Sequence, residues 1–205
     1  MARIRPYRAE DLDDLYRVCL ETGDGGKDAT ELFVDPRLLG HIYAAPYGVL
    51  SPHTAFVIED EGGVGGYVLG PPDSRAFEDA CEKAWWPALR SAYSDPGDAP
   101  QSGWSREALM RFLIHHPQRT PSRIAGPYPA HLHIDLLPRL QGRGWGRRLL
   151  DRWLETVQGL GARGAHLGVS EANIRAIAFY RAYGLVEPKL ERPPPPGVLW
   201  FARSF

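Results

Sequence analysis

The hydrophobic and polar positions of the chain follow two patterns, helical spacing and strand-like alternation. Helical spacing recurs in six stretches, at residues 9–22, 30–45, 74–93, 105–115, 145–160 and 173–183. Short apolar or alternating runs predict strands at residues 4–7, 55–60, 64–69, 131–137, 165–169 and 198–202. Glu61-Gly62-Gly63 predicts a hairpin turn between the second and third strands, and Pro6 suits an edge strand. The pattern predicts a mixed α/β (α+β) protein whose first half is antiparallel.

Residues 71–130 differ in character from the rest, because prolines separate their helical stretches and because they carry the tryptophans Trp85, Trp86 and Trp104. Such aromatic side chains need apolar neighbours, so this segment is better described as a packed insertion than as a linker. We expect one domain over residues 1–205 with a helical insertion at about 71–130. The insertion would cover the functional site, and its tryptophans would give that site an apolar wall.

Composition and charge narrow the classes of protein. The 205 residues carry a formal net charge of −1, which gives no global electrostatic case for nucleic acid. No apolar run reaches the roughly 18 residues of a membrane-spanning helix, and residues 1–14 lack the apolar core of a signal peptide. We therefore expect a cytoplasmic protein with neither nucleic-acid nor membrane partners. Cys19 and Cys81 lack metal-ligand spacing, which predicts two reduced core cysteines and no metal site.

A glycine-rich loop, Gln141-Gly142-Arg143-Gly144-Trp145-Gly146, joins the fourth predicted strand to a helix. The first amides of a helix are unpaired, and glycine allows a ligand to approach them, so the loop predicts a phosphate or pyrophosphate site. Nearby arginines would pair the outer oxygens; they are Arg139, Arg143, Arg147, Arg148 and Arg152. No Lys-Ser/Thr pair follows the glycines, which argues against a mononucleotide P-loop, and their spacing does not match a dinucleotide fingerprint.

Past the next strand, Asn173 and the segment Phe179-Tyr180-Arg181-Ala182-Tyr183-Gly184-Leu185 form a second motif. The glycine loop and this segment together resemble the GNAT acetyltransferase superfamily. Further stretches resemble the acetyltransferase-like C-terminal domain of animal O-GlcNAcase, here as a free-standing bacterial-type chain; they include residues 4–7, 50–52, 56–61, 66–70 and 134–135.

The resemblance implies a GNAT fold and acetyl-CoA as the cofactor. The sheet would be mixed, mostly antiparallel and splayed between strands 4 and 5, with flanking helices and the insertion between strands 3 and 4. Leu136 and Leu137 would bind the pantetheine arm and the thioester carbonyl through their backbone. The pyrophosphate would contact the glycine loop, from Gln141 through Gly142, Arg143, Gly144, Trp145 and Gly146 to Arg147. Asn173 would contact the cofactor, and Tyr180 would protonate the coenzyme A thiolate.

The sequence leaves more than one candidate for the general base. Related histone-modifying enzymes use a glutamate near the start of the fourth strand, but here that position reads Pro129-Ala130-His131. His131, His133 and Asp135 share one strand face, and Asp135 and His133 are the catalytic candidates. Glu171 is a further possibility, as a base or as a helix cap.

Three functions remain from the sequence. The first is an acetyl-CoA-dependent N-acetyltransferase with an unknown amine-bearing small-molecule or peptide acceptor, monomeric or homodimeric. The second is a non-catalytic acetyl-CoA-binding or partner-binding module, and the third is another phosphate-binding enzyme. The polar loop at residues 23–28 contains three glycines and is either a plain linker or a backbone segment that approaches a ligand.

Overall fold

A computed structural model describes residues 2–98, 103–189 and 197–205. The first part of the chain contains β1 (Arg3–Pro6), α1 (Leu12–Glu21), α2 (Gly40–Tyr43), α3 (Ala45–Leu50), β2 (Phe56–Asp60) and β3 (Gly63–Leu69). The insertion follows as α4 (Ser74–Ala84), α5 (Trp86–Ala92), α6 (Arg106–His115) and α7 (Ser122–Ala125). The last part contains β4 (Ala130–His131), β5 (His133–Leu136), α8 (Trp145–Gly159), β6 (Gly164–Ser170), α9 (Ile174–Tyr183) and β7 (Val198–Ser204).

The strands form two sheets that share one continuous segment of chain. β1, β2, β3 and β5 make an antiparallel four-stranded sheet, while β4 pairs parallel to β6, which pairs antiparallel to β7. The predicted strand at 131–137 is therefore divided at Leu132, whose amide bonds the His166 carbonyl of β6. β5 pairs with β3 and not with β6, so the splay predicted between the fourth and fifth predicted strands, residues 131–137 and 165–169, is confirmed. Pro6 lies in the edge strand β1, as predicted.

Gly70 marks the point where the two sheets separate. A Cβ added there would lie 1.9 Å from the His131 carbonyl oxygen, so the backbone at the end of β3 approaches β4 more closely than any side chain allows. The Trp153 indole of α8 also donates to the Gly70 carbonyl, at 3.1 Å. These contacts hold the base of the splay in place beneath the helix that begins at the glycine loop.

The first sheet buries both of its faces. Ile58 and Val68 pack with α8, α9 and β6 on one side, whereas Val57, Tyr67 and Leu69 pack with α1 and the insertion on the other. This alternation by two residues explains why the hairpin strands read as nearly continuous apolar runs. The apolar face of α8 is the predicted one, made by Leu149, Leu150, Trp153, Leu154 and Val157.

Two predicted helices are wrong in extent. Residues 30–45 form a 3-10 turn at Thr30–Leu32 and then the separate helices α2 and α3, since Pro36 disfavours a continuous helix and Pro46 begins a new one. Residues 74–93 divide into α4 and α5 at Trp85, because Pro87 has no amide hydrogen and its ring would meet the Lys83 carbonyl.

The first predicted helix, residues 9–22, begins as a 3-10 turn at Ala9–Asp11 before α1, and the other helices and strands lie within one or two residues of the predicted bounds. Cys19 and Cys81 are buried and free, in agreement with the sequence. Within the described ranges, no helix combines the length and the apolar character that crossing a bilayer requires.

Candidate active site

The glycine loop (Gln141–Gly146) leaves open space above the start of α8. Gly142 and Gly144 have φ angles of 72° and 78°, a left-handed conformation that favours glycine, and a Cβ at either would meet nothing within 4 Å. No side chain caps α8, a helix of 15 residues, so its first amides have no intrahelical partner. Together with the helix dipole, these amides make the loop a site for a phosphate group.

Gly146 has a different role from the other two glycines. A Cβ there would lie 3.3 Å from the Phe179 ring of α9 and 3.8 Å from Leu136 of β5. The third glycine therefore lets α8 pack between the end of β5 and α9. In this way the two sequence motifs come into contact at the splay.

Gln141 connects the glycine loop to β5 on one side and to α9 on the other. Its Nε2 donates to the Leu136 carbonyl at 2.6 Å, and its Oε1 accepts a hydrogen bond from the Arg175 guanidinium of α9. The Leu137 amide donates to the Gly65 carbonyl of β3 at 2.8 Å. Successive residues of an antiparallel strand point their amides to opposite sides, so the Leu136 N–H faces away from β3. It points into the opening between the splayed strands β5 and β6, here called the gap.

The arginines around the loop are unequal. Arg139 is held by Asp60 at 3.2 Å and by the carbonyls of Gly62 and Gly63, so the β2–β3 turn uses its guanidinium. Arg147 donates to the Ala182 carbonyl and lies over the Tyr183 ring, as Arg148 and Arg152 lie over the rings of Trp145 and Phe56. Arg143 and Arg147 are exposed at the loop itself. Of the five arginines predicted to pair the outer phosphate oxygens, Arg143 and Arg147 are therefore the ones that remain close to the loop amides.

Asn173 caps α9, since its Oδ1 accepts from the Ala176 amide at 3.1 Å. Its Nδ2 lies 3.8 Å from the position of a Cβ on Gly26, which belongs to the loop at residues 23–28. That loop closes on itself between Asp24 and Lys27, and Arg106 of α6 pairs with Asp24 at 2.7 Å. The glycine-rich loop after α1 thus lies beside the start of α9. Because Asn173 provides the cap, Glu171, which is exposed, does not.

Tyr180 is buried on α9 between the rings of Phe179 and Phe201. Among the described residues, no group forms a hydrogen bond with its hydroxyl. Burial, together with the nearby charge of Asp135, raises the pKa of Tyr180 above its usual value. The phenol is therefore protonated at neutral pH, which is the state that a proton donor needs.

Asp135 lies on β5 directly opposite Tyr67 of β3, and the Tyr67 hydroxyl donates to its carboxylate at 2.8 Å. Burial raises the pKa of Asp135 to about 6, and the hydrogen bond from Tyr67 opposes this shift. The carboxylate is thus largely ionised at neutral pH while remaining close to Tyr180.

His133 and His131 lie on the same side of the segment, and both contact one tyrosine. The Tyr47 hydroxyl of α3 lies 3.1 Å from His133 Nε2 and 3.0 Å from His131 Nε2. Burial and the neighbouring His166 lower the pKa of His133 to about 4, so its ring is neutral at neutral pH. His131 uses its second nitrogen as well, on the Ser74 hydroxyl at 2.7 Å. Because both of its ring nitrogens are hydrogen-bonded, His131 has no nitrogen left to accept a proton from a substrate.

Three residues of this site escaped the sequence analysis, namely Tyr47, Tyr67 and Ser74. Tyr67 could have been found, because the alternation of the hairpin strands places it on one face. Tyr47 and Ser74 come from α3 and α4 and carry no local signal. The insertion reaches the histidines through Ser74 and Phe77, whose ring lies 5.7 Å from His131. Trp85 instead donates to the His41 carbonyl and Trp86 is buried in the core, so the expected tryptophan wall is not what contacts the histidines.

No three His, Cys, Asp or Glu side chains in the described ranges are grouped so that they could hold a metal ion.

The fold and the site define a class of protein. A sheet splayed beside a glycine loop at a helix start is the predicted arrangement, and the sequence profile of the acetyltransferase (GNAT) family matches residues 10–185. The chain therefore belongs to the GNAT acetyltransferase family.

Individual relatives agree with this assignment. The crystal structure of SsHAT is 36% identical, with a TM-score of 0.89, and the match covers 99% of this chain and 98% of that one. Protein O-GlcNAcase of Rattus norvegicus is 26% identical over 185 residues, which are 90% of this chain but only 20% of that protein, and the Mus musculus protein matches equally. The chain thus spans about a fifth of the length of these curated relatives. A GNAT acetyltransferase from Brucella melitensis in complex with acetyl-CoA shares the fold, at 17% identity and a TM-score of 0.52.

Proposed function

We propose that this protein is an acetyl-CoA-dependent N-acetyltransferase that acts on an amine-bearing small molecule or peptide. The proposal rests on one spatial arrangement, in which the glycine loop, Tyr180 and the polar side chains of β5 lie close together. An open, uncapped helix start at the glycine loop lies next to the splay, and a buried phenol without a hydrogen-bond partner in the described chain lies on the adjoining α9. Asp135 and His133, which can both transfer protons, lie on β5 beside the same gap.

The residues present suit acetyl-CoA. The open space at Gly142 and Gly144 would admit a pyrophosphate against the amides of Gly142 to Arg147, with Arg143 and Arg147 close to its outer oxygens. The Leu136 N–H faces the gap and is free of β3, so it would bind the thioester carbonyl. Leu137 and Gln141 would act indirectly, because the Leu137 amide is bonded to β3 and Gln141 bridges Leu136 and Arg175. Asn173 Nδ2, which lies near Gly26, would contact the cofactor.

Bound acetyl-CoA supplies an activated acetyl group. A base in the gap, His133 or Asp135, would take a proton from the acceptor nitrogen as that nitrogen bonds the acetyl carbon. The Leu136 N–H would stabilise the negative charge on the carbonyl oxygen. Tyr180 would give its hydroxyl proton to the departing sulfur, so that one proton leaves the amine and one reaches the thiol.

A non-catalytic acetyl-CoA-binding module is the second candidate. Two observations favour it: β4 is Ala130–His131 and offers no glutamate, and the Asp135 carboxylate already accepts a hydrogen bond from Tyr67. A cytoplasmic location and a monomeric or homodimeric state belong to either candidate, and the two free cysteines are compatible with a reducing compartment.

Calorimetry with acetyl-CoA, coenzyme A, NAD and ATP tests the binding that both candidates share. We expect both coenzyme A species to bind and NAD and ATP to fail. If neither coenzyme A species binds, both candidates are wrong, and binding of ATP or NAD instead would support another phosphate-binding enzyme.

Thiol release with acetyl-CoA and a panel of amines and peptides separates the two candidates. An enzyme releases coenzyme A at a rate that rises with the concentration of the accepted amine. Tight binding of acetyl-CoA without turnover on any member of a broad panel would favour the module.

A further inference from the structure

The side chains of His133, Tyr47, His131 and Ser74 form one continuous series of hydrogen bonds, here called the histidine chain. His133 Nε2 contacts the Tyr47 hydroxyl at 3.1 Å, which contacts His131 Nε2 at 3.0 Å. His131 Nδ1 contacts the Ser74 hydroxyl at 2.7 Å, and that hydroxyl donates to the Pro129 carbonyl, also at 2.7 Å. The series therefore ends at a group that accepts hydrogen bonds and never donates them.

Counting protons gives each of these contacts a direction. Both histidines are neutral, because burial lowers the pKa of His133 to about 4 and that of His131 well below its usual value. Each of the four side chains then has one proton to donate, and four contacts must be satisfied. Ser74 gives its proton to Pro129, so His131 Nδ1–H must donate to Ser74. Tyr47 must then donate to His131 Nε2, and His133 Nε2–H must donate to Tyr47.

The same count fixes the state of the remaining nitrogen. His133 carries its only ring proton on Nε2, so its Nδ1 has a free lone pair. No hydrogen-bond partner of His133 Nδ1 occurs in the described part of the chain. His131, by contrast, is forced into the opposite tautomer, with its proton on Nδ1 and no free nitrogen.

The arrangement is rigid because three separate elements hold it. Tyr47 comes from α3 and stacks on Phe77 of α4 with ring centroids 4.5 Å apart and planes at 13°. Ser74 is fully buried at the start of α4, and its amide also donates to the Pro129 carbonyl, at 2.8 Å. The insertion therefore determines the tautomers of two histidines that lie on the segment from β4 to β5.

We propose that the Pro129 carbonyl, acting through Ser74, His131 and Tyr47, holds His133 as the Nε2–H tautomer, and that the bare Nδ1 is the base that takes the acceptor's proton. The base role rests on the proposed acetyltransferase function, whereas the tautomer does not. His133 is the catalytic residue of this proposal, and Tyr47, His131 and Ser74 are positioning residues. Asp135 has a separate part, because it lies near Tyr180 and accepts from Tyr67.

The tautomers can be read directly by long-range proton–nitrogen correlation spectra of protein labelled with nitrogen-15 histidine, at neutral pH. His131→Gln and His133→Gln assign the signals. We expect opposite patterns, with a protonated Nε2 in His133 and a protonated Nδ1 in His131. The same tautomer in both rings, or a protonated Nδ1 in His133, would overturn the proposal.

Tyr47→Phe tests the link between the rings and preserves the aromatic stack on Phe77. We expect His131 to keep its Nδ1 proton, since Ser74 still accepts it, and His133 to become a mixture of tautomers. Tyr43→Phe is the matched control, because the Tyr43 ring lies 5.7 Å from His133 but its hydroxyl is outside the histidine chain. Ser74→Ala is a second variant, expected to release His131 as well. An unchanged His133 pattern in Tyr47→Phe would refute the link.

Turnover separates this proposal from the proposed function. With an accepted amine, His133→Gln should lower kcat about 100-fold and Tyr47→Phe roughly tenfold, with the KM for acetyl-CoA unchanged. Full activity of His133→Gln would remove its base role even if the tautomers are as described. If the unmodified protein shows no turnover at all, the proposed function and the base role fail together, while the spectra still decide whether the histidine chain orders the tautomers.

Discussion

The two sides of the gap are built from different groups. The glycine loop offers backbone amides, a helix start and exposed arginines, and its surface is open. The histidine chain and Asp135 are side chains in buried surroundings, where desolvation moves pKa values by one or more units. An anion can be held by fixed dipoles without burying a charge, whereas proton transfer at neutral pH depends on that burial. Binding and chemistry should therefore respond to different substitutions.

Gly144→Val should have the largest effect, on binding alone. A β-branched residue at this positive φ costs about 1–2 kcal/mol, and its side chain would occupy the space above the loop. We expect the Kd for acetyl-CoA to rise at least about 100-fold in calorimetry. Gly161→Val is the matched control, because Gly161 has a φ of 89° and open surroundings at the other end of α8. Equal binding by the two variants would contradict a pyrophosphate site at the loop.

Tyr180→Phe should show the opposite behaviour, with chemistry lost and binding retained. The hydroxyl bonds no group in the described chain, so its removal leaves no buried partner unsatisfied. We expect kcat to fall about 100-fold with an unchanged Kd for acetyl-CoA. Tyr183→Phe, which loses a hydroxyl bonded to Asp151 of α8 instead of one without a partner, should keep kcat. If thiol release by Tyr180→Phe equals that of the unmodified protein, Tyr180 is not the acid.

The same contrast explains what the sequence could reveal. The glycine loop and α9 are contiguous motifs, so Gln141 to Gly146, Asn173 and Tyr180 could be named as candidates before their positions were known. Asp135 and His133 could be placed on one strand face by alternation. The partners of the histidines could not, because Tyr47 lies 86 positions before His133 and Ser74 lies 57 positions before His131, and both reach these rings only through tertiary packing.

The errors in the helices have a related cause. Helical spacing persists across residues 30–45 and 74–93, but the pattern of apolar positions does not register the missing amide of a proline. Pro36 and Pro87 interrupt the helical hydrogen bonding there, Pro46 lies in the first turn of α3, and α4 and α5 are separate helices that meet at Trp85. Likewise, the division of the predicted strand at Leu132 depends on two different partner strands, which no local pattern contains.

The buried histidines should also give the fold a measurable pH dependence. Burial lowers the pKa of His133 and of His166 from 6.5 to about 4, so the unfolded chain binds more protons than the folded one between these values. The free energy of unfolding should be highest above about pH 6.5 and fall as the pH drops toward 4. Each histidine contributes up to about 1.4 kcal/mol per pH unit in that window.

Asp135 acts against the histidines in the same titration. Its pKa is raised from 3.8 to about 6, so its contribution to stability is lost as the pH rises through that range. It offsets one histidine, while the lowered pKa of His131 adds to those of His133 and His166, so denaturant unfolding between pH 4 and 7 should still show a net loss of stability on acidification. His166→Gln should flatten the slope, because His166 lies outside the histidine chain while being almost fully buried. A slope that His166→Gln leaves unchanged would mean that this ring titrates normally.

Asp135→Asn should have the smallest effect, and it tests whether His133 or Asp135 is the base. If His133 is the base, the charge of Asp135 acts mainly on Tyr180, whose pKa is raised first by burial and further by that charge. Its removal lets the pKa of Tyr180 fall toward the usual value, so the alkaline limb of the kcat profile should move to lower pH while kcat at neutral pH changes only about fivefold or less. If Asp135 is the base instead, kcat falls by about 100-fold or more and the acid limb near pH 6 disappears. The same variant should bind acetyl-CoA normally in either case, because residue 135 contacts Tyr67 of β3 and is not part of the glycine loop.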